Sequence, residues 1–534
     1  MVRTSLAVLI ILLIGLPHVG HYGIASDERV ETLAVFWNLE AARDGTPIPF
    51  PQKYYGAIYH VGAEIVFQAV TILRTGRPAA TPSDKDFTRA AFRDRAEVKH
   101  VVTFVGSAVA YLAVAGIVGA LAGARHAWIG PVVLALFPRF WGHSFFNPKD
   151  VPFAIALTLG TLVGSKLVAR FLSVADDVAK PGIHRLTGGT LVFGVLVGLI
   201  TGTRIAGAVL LAFVGLAHAT VHLGQGHSFR TLVRYWPFYI LMTAGWLATV
   251  VAIHPAAWGD PLAWLIDATR LMSQFQWEGS NLFAGRYIPA AHVPWYYLPV
   301  WLMITTPALL QVMAAVGLLM VVRRYKTLSG HQQACAMMLL LQLGFIPAVA
   351  VLRHSTIYDA MRQFLFLLPA MAALAATAVG WTLDWADRTR FQLMVPMAFI
   401  VLAAPVVADM FALHPYEYVY FNRAYGGLQQ AAGRFDTDYY GLSMREAMEW
   451  VNQQAEPGAQ VVSTNPYRSA ETFARPGMAV THISEFKPSQ GSSVVYYIAA
   501  PRYDFHDRFP DCPVVFRVVR QGVALAIVRR CERA

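Results

Sequence analysis

Apolar runs of near-spanning length recur along this chain almost from end to end, and that recurrence leaves few folds open to it. The runs fall at residues 6–16, 101–121, 128–141, 151–171, 189–201, 205–222, 235–254, 298–322, 333–352, 364–383 and 391–413. A straight helical crossing of the bilayer core takes about 20 apolar residues, so several runs are short and their limits are soft. Composition agrees with a membrane setting. Of the 534 residues, 56% are hydrophobic and 14% charged, and the mean hydropathy is +0.45. Soluble chains carry about 25% charged residues. Disordered, fibrous and ordinary soluble classes are thereby excluded, and the expected fold class is a polytopic α-helical membrane protein with about 11 spans.

Charge placement sets the orientation. The 43 Lys+Arg and 32 Asp+Glu leave a net charge of +11, which in a soluble chain would raise nucleic acid as a partner. Here the basic residues gather on one face: Arg125, the segment 166–185, Arg230 with Arg234, Arg323-Arg324 with Lys326, and Arg388 with Arg390. Cytoplasmic loops collect Lys and Arg, so that face is expected to be cytoplasmic and no nucleic-acid partner is expected. The loops at 27–100, 143–150, 254–297 and 353–363 then face outward, with everything after residue 413. The first run also fits a secretory signal peptide cleaved after Gly23-Ile24-Ala25. An uncleaved span is the preferred reading, and both readings leave residue 26 onward outside. Within the long first loop, the amphipathic stretches 32–42 and 54–73 suit helices lying on the membrane surface.

From residue 434 the sequence turns mixed and globular. A helix is expected over 443–454 and strands over 460–463, 493–499, 514–519 and 523–528. The expected division is a transmembrane module over 1–413 and a small extracytoplasmic α/β domain over 414–534. A hairpin turning at Gln521-Gly522 sets Cys512 opposite Cys531. A disulfide there suits an oxidising compartment; two separate thiols are the alternative. Cys335, inside a span, reads as core.

Ionisable groups beside apolar spans are costly and call for a reason. Asp27-Glu28 follows the first run, where the plain reading is a solvated pair ending a helix. The short turn His143-Ser144-Phe145-Phe146-Asn147-Pro148-Lys149-Asp150 brings together an amide, an ammonium and a carboxylate. There the plain reading is Lys149 snorkelling onto Asp150. Arg204 and Arg362, each at the outer end of a run, would alone serve as interface anchors. Together they set Lys149, Arg204 and Arg362 level with Asp27, Glu28 and Asp150, an arrangement suited to an anionic headgroup beside a carboxylate base. His218 and His222 have the spacing of a helical zinc site but lack its glutamate and are set aside, and His18 and His21 read as interfacial. Trp258, Trp264, Trp277, Tyr287, Trp295, Tyr296 and Tyr297 either wall a lipid groove or form an interfacial belt. Walker, Rossmann and nucleophile-elbow motifs are absent from the sequence.

On these residues the chain resembles the GT-C superfamily of integral-membrane glycosyltransferases. It is most similar to the bacterial family 39 type related to protein O-mannosyltransferases and the lipid A aminoarabinose transferase. The resemblance rests on Asp27-Glu28 after the first span, the long first external loop, and Phe146-Asn147-Pro148-Lys149-Asp150-Val151-Pro152. Thr203-Arg204, Tyr358-Asp359-Ala360-Met361-Arg362 and His414-Pro415-Tyr416-Glu417-Tyr418 extend it to nearly the full length. The Trp-Trp-Asp signature of the oligosaccharyltransferase branch is missing from the tail. The resemblance implies a polyprenyl-phosphate sugar donor and transfer, with inversion, to a hydroxyl of a lipid, glycan or protein acceptor. It places that reaction on the periplasmic side of a bacterial inner membrane. It implies Asp27 as base, with Glu28 supporting it or helping hold a divalent metal, a point on which members of the superfamily differ. Lys149, Arg204 and Arg362 become the clamp on the donor phosphate, with Asn147, Asp150 and Tyr358 in support. A lipid or sugar transporter is the alternative, although the paired repeats typical of transporters are not evident. A non-catalytic assembly protein is a second.

Overall fold

Nine helical stretches among the described residues are long and apolar enough to cross a membrane: Val2–His21, Arg89–Ala122, Asp150–Ser173, Ile205–Gly224, Phe229–Ile253, Ala308–Thr327, Gly330–Leu352, Leu367–Ala386 and Met394–Leu413. The computed structural model describes residues 2–81, 87–173, 183–464, 466–486 and 494–532. The chain is a polytopic helical membrane protein that carries a C-terminal sheet domain.

Two of the expected spans are broken at a proline. The run at 128–141 folds as Ile129–Ala135 followed by Pro138–Phe146. Proline forces the residue before it out of helical geometry, and Phe137 is extended at φ −89°, ψ 99°. The run at 298–322 likewise divides into Tyr297–Thr305 and Ala308–Arg324, with extended Thr306 and Pro307 between. At 189–201 the helix runs Ile183–Thr201, but its apolar stretch, Leu186–Thr201, is shorter than the nine. In the opposite sense, 101–121 belongs to a longer rod, Arg89–Gly106 and Ala108–Ala122, whose first part carries buried Lys99 and His100.

The first loop does contain two helices, Glu28–Asp44 and Ile58–Thr75, each closed by a glycine in the left-handed conformation, Gly45 and Gly76. Glycine adopts that conformation without a Cβ penalty. A stack of rings ties the bundle together at this end: Tyr22 lies 4.4 Å from Phe145, which lies 4.5 Å from Phe104.

The C-terminal sheet contains β3 (Gln460–Ser463), β4 (Val480–His482), β5 (Val494–Ala499), β6 (Val514–Arg520) and β7 (Val523–Glu532), after a small hairpin of β1 (Ser280–Phe283) and β2 (Arg286–Pro289). Its order is β4-β3-β5-β7-β6, with β4, β3 and β5 parallel and β7 antiparallel to both neighbours. Ser493, expected to start β5, lies outside the described residues. Gln521 and Gly522 both have positive φ, 47° and 79°, as a two-residue turn of this hand requires. Register shifts occur between Val518 and Val519 and between Val514 and Phe516. They compensate, so the strands leave the ladder aligned and Cys512 and Cys531 form a disulfide with a Cα–Cα distance of 4.9 Å.

Between the last span and this sheet, the chain packs into the bundle. Tyr416, Tyr418, Tyr420, Phe421, Tyr439 and Tyr440 are all buried. A Cβ on Gly142 would lie 2.6 Å from the Tyr418 backbone nitrogen, so the helix Pro138–Phe146 and this segment meet backbone to backbone.

Candidate active site

Asp27 precedes the helix Glu28–Asp44 but makes no capping hydrogen bond to it. Its carboxylate instead accepts from Ser26 Oγ at 3.3 Å and from Arg362 Nη1 at 2.9 Å. The Asp27 side chain is 34% exposed, whereas Arg362 is 4% exposed. A partly exposed carboxylate thus leans on a buried cation.

The turn at 147–150 is built by its asparagine. Asn147 Oδ1 accepts the backbone N–H groups of Lys149 at 3.2 Å and Asp150 at 2.9 Å. It thereby caps the helix Asp150–Ser173 as a short polar side chain does well. Asn147 Nδ2 donates to Asp150 Oδ2 at 2.9 Å and Tyr440 Oη at 3.0 Å. Asp150 sits in the first helical turn, where the macrodipole favours an anion, and its other oxygen is ion-paired with Arg204. Arg204 stands between the helix Ile183–Thr201, which ends three residues before it, and the turn Ile205–Ala208. A Cβ on Gly56 would lie 2.0 Å from the Gly202 carbonyl oxygen, so only glycine lets the first loop press against the Arg204 turn.

Arg362 is the hub. Nη1 donates to Asp27 and, at 2.8 Å, to Tyr440 Oη; Nη2 lies 3.0 Å from Asp359 Oδ2. The Tyr440 hydroxyl passes the connection on, donating to Asp150 Oδ2 at 3.0 Å. The guanidinium lies between the rings of Tyr358 and Tyr440, 4.9 and 5.0 Å from their centroids, a favourable cation–π geometry. Asp359 and Ala360 have φ of +56° and +62°, costly for residues with a Cβ. Buried Asn281 holds that backbone, accepting the Asp359 N–H at 3.0 Å and donating to the Ile357 carbonyl at 2.8 Å. Asp359 also accepts from Arg502 at 2.7 Å, so the C-terminal domain reaches the same cluster.

Charge is distributed unevenly among the acids. Burial works against the Asp27 carboxylate, but Arg362 and Lys149 outweigh it and hold its pKa down to about 2. Burial prevails at Glu31, whose pKa rises to about 7 although Lys149 Nζ lies 3.6 Å away. Both Glu31 oxygens are buried with no hydrogen-bond partner among the described residues. Lys149 is raised in turn: burial opposes its charge, but Glu31 and Asp27 more than restore it. Its ammonium also lies 4.7 Å from the Tyr55 ring centroid.

Of the residues singled out from sequence, Asp27, Arg362, Tyr358, Asn147, Asp150 and Arg204 form one connected network, with Lys149 beside it. Glu28 goes elsewhere. It is wholly buried, lies 3.0 Å from His100 Nε2 through either oxygen, and accepts the Ala25 N–H at 2.8 Å. The two carboxylates are engaged separately, and Arg362 and Lys149 flank Asp27 with positive charge. That setting does not suit a dication held by Asp27 and Glu28.

Sequence reasoning passed over Tyr440, Glu31 and Arg502. Glu31 had a signal, since it lies one helical turn beyond Asp27; Tyr440 and Arg502 had none. Among the aromatic residues of the fourth loop, Trp277 stacks on Tyr358 at 4.6 Å. Trp264 is buried and donates to the Lys53 carbonyl, Tyr297 is buried, and Trp258, Trp295 and Tyr296 are exposed. Tyr287 stacks on Tyr503. His218 bonds Tyr239 Oη at 2.7 Å.

No protein-family model matches this chain, and no curated protein does. Among solved structures, it is similar to the archaeal oligosaccharyltransferase AglB from Archaeoglobus fulgidus in complex with an inhibitory peptide and a dolichol-phosphate. That match has a TM-score of 0.49 and 12% identity over 88% of this chain, which spans 63% of the length of AglB. It is also similar to ArnT from Cupriavidus metallidurans bound to undecaprenyl phosphate. There the TM-score is 0.47 and the identity 12%, over 98% of this chain and 97% of ArnT.

Proposed function

We propose that the protein is a glycosyltransferase that moves a sugar from a polyprenyl-phosphate donor to an acceptor hydroxyl, on the periplasmic side of a bacterial inner membrane. One observation carries the reading. An accessible carboxylate, Asp27, is held ionised by Arg362 at the end of the bundle where Lys149 and Arg204 also stand. The guanidinium Nε atoms of Arg204 and Arg362 are buried and make no hydrogen bond among the described residues. Both retain a donor for an anionic oxygen, and buried donors left unmatched are costly.

The chemistry asks for what this cluster contains. The acceptor oxygen attacks the anomeric carbon from the face opposite the phosphate, a carbon–oxygen bond forms, and the bond to the phosphate oxygen breaks. The leaving polyprenyl phosphate takes the electron pair, and Lys149, Arg204 and Arg362 stabilise its growing charge. The acceptor proton goes to Asp27. A carboxylate with a pKa near 2 is a weak base, and a base works best when its pKa lies near the working pH. Donor binding corrects this: when Arg362 and Lys149 turn part of their charge to phosphate, Asp27 loses stabilisation and becomes more basic. Tyr440 and Asp150 hold the guanidinium in place, and Arg502, from the C-terminal part of the chain, ties down Asp359 beside it.

The test is mass spectrometry of lipids that copurify with the protein, comparing wild type with Arg362→Ala. A polyprenyl-phosphate sugar present in the first and lost in the second supports the reading and names the donor. Bulk phospholipid alone in both argues against it.

A further inference from the structure

Three histidines outside the transfer site converge where the first and last spans end. His18 and His21 lie in the turn Leu16–His21 that follows the first helix, and His414 follows Met394–Leu413. Their rings form a nearly equilateral triangle. The centroids are 5.2 Å apart for His18 and His21, 5.0 Å for His18 and His414, and 5.1 Å for His21 and His414, with interplanar angles of 66° to 69°. One ligating atom from each lies within 4.8 Å of the other two, and His21 Nδ1 is 2.8 Å from His414 Nε2.

Three imidazoles on one tetrahedral zinc, each with a bond of about 2.0–2.1 Å, place their centroids about 5 Å apart. Edge-on packing of bare rings gives similar spacing, so the triangle needs support. It has two kinds. His18 Nδ1 is buried and has no hydrogen-bond partner among the described residues, which costs a polar atom its hydration for nothing. His414 Nδ1 lies 2.9 Å from Glu417 Oε1, while the other Glu417 oxygen accepts from Tyr22 Oη at 2.6 Å. That carboxylate fixes the proton on Nδ1 and leaves the Nε2 lone pair turned toward His21. A carboxylate behind a histidine, orienting it and raising its basicity, is the usual second layer of a metal site.

The backbone on both sides is pinned from the C-terminal domain. Arg445 Nη1 donates to the carbonyls of Gly20 at 2.5 Å and Tyr22 at 2.9 Å, and Arg520 Nε donates to that of His414 at 2.9 Å. We propose that His18, His21 and His414 hold a zinc ion, with water in the fourth position, that fastens the first span to the root of the C-terminal domain. Imidazole suits zinc among the divalent metals, with copper and nickel as competitors. The site is independent of the Asp27 chemistry and stands or falls without it.

The test uses the full-length protein, stripped with a chelator and titrated with zinc by calorimetry, with cobalt absorption as a reporter of geometry. The proposal expects one zinc per chain, tetrahedral cobalt bands, a rise in Tm with zinc, and loss of all three in His21→Ala. Glu417→Gln should bind about 10-fold more weakly, and Asp27→Asn should bind as wild type. If His21→Ala does not fold, as judged by circular dichroism, His18→Gln takes its place. Absence of zinc binding in wild type, unchanged binding in the folded histidine variant, or loss of binding in Asp27→Asn would overturn it.

Discussion

Arg362 Nη1 donates to Asp27 Oδ2 at 2.9 Å, across 335 residues of sequence, and the same nitrogen donates to Tyr440 at 2.8 Å. One planar guanidinium thus joins the loop after the first span, the turn before the span Leu367–Ala386, and the segment leading to the C-terminal sheet. A lysine carries the charge but lacks the fork that reaches Asp27, Asp359 and Tyr440 at once. Arg362→Lys should therefore keep donor binding above that of Arg362→Ala while lowering the transfer rate about 10-fold or more. Initial rates in proteoliposomes check this.

Tyr440→Phe retains the ring over Arg362 but removes the hydroxyl that bonds Arg362, Asp150 and Asn147. Leaving buried polar partners unmatched costs about 1–3 kcal/mol. The expected result is a lower Tm and a transfer rate reduced by roughly 10-fold, since about 1.4 kcal/mol is a factor of ten. A variant with wild-type rate and Tm would show that the hydroxyl positions nothing.

Much of this was legible before any fold was known, and for physical reasons. Charges beside apolar runs must be rationalised by partners, which singled out Asp27, Lys149, Asp150, Arg204 and Arg362. The hairpin register at Gln521-Gly522 depends only on counting outward from a turn, and the two opposed register shifts in β6 and β7 leave that count intact. What stayed hidden depends on long-range packing. Adjacent acids look alike in sequence, yet Glu28 faces His100 inside the bundle and Asp27 faces Arg362. Tyr440 carries no charge or motif, and its placement follows from how residues 414–443 fold back. Pro138 could have warned that the run at 128–141 breaks, since proline excludes a continuous helix there.

Glu31 supplies a pH signature. Its pKa rises from 4.5 unfolded to about 7 folded, so the folded state holds a proton the unfolded chain has lost. Stability contributed in this way is present below pH 4.5 and falls as pH rises toward 7. Asp27, depressed from 3.8 to about 2, acts oppositely, but only as pH drops through that lower window. Glu31→Gln should flatten the dependence of Tm on pH between about 4.5 and 7 and raise Tm at pH 8. Thermal unfolding in detergent across that range decides it; an unchanged slope would mean Glu31 does not titrate there.

Gly142→Ala tests the backbone contact beneath the site. The added Cβ would lie 2.6 Å from Tyr418 N and 3.1 Å from the Glu417 carbonyl carbon, atoms that cannot rotate away. Overpacking of this kind costs about 1–3 kcal/mol, so Tm should fall by several degrees. Tm equal to wild type would show that the two segments can separate freely.

The central claim is that Asp27 takes the acceptor proton, and single-turnover conversion of bound polyprenyl-phosphate sugar to free polyprenyl phosphate tests it most directly. Loss of a general base costs about 10²- to 10⁴-fold. Asp27→Asn, reconstituted and confirmed as folded, is predicted to retain the donor lipid and to release polyprenyl phosphate at least about 100-fold more slowly than wild type. Release at the wild-type rate from a stable Asp27→Asn protein would contradict the account.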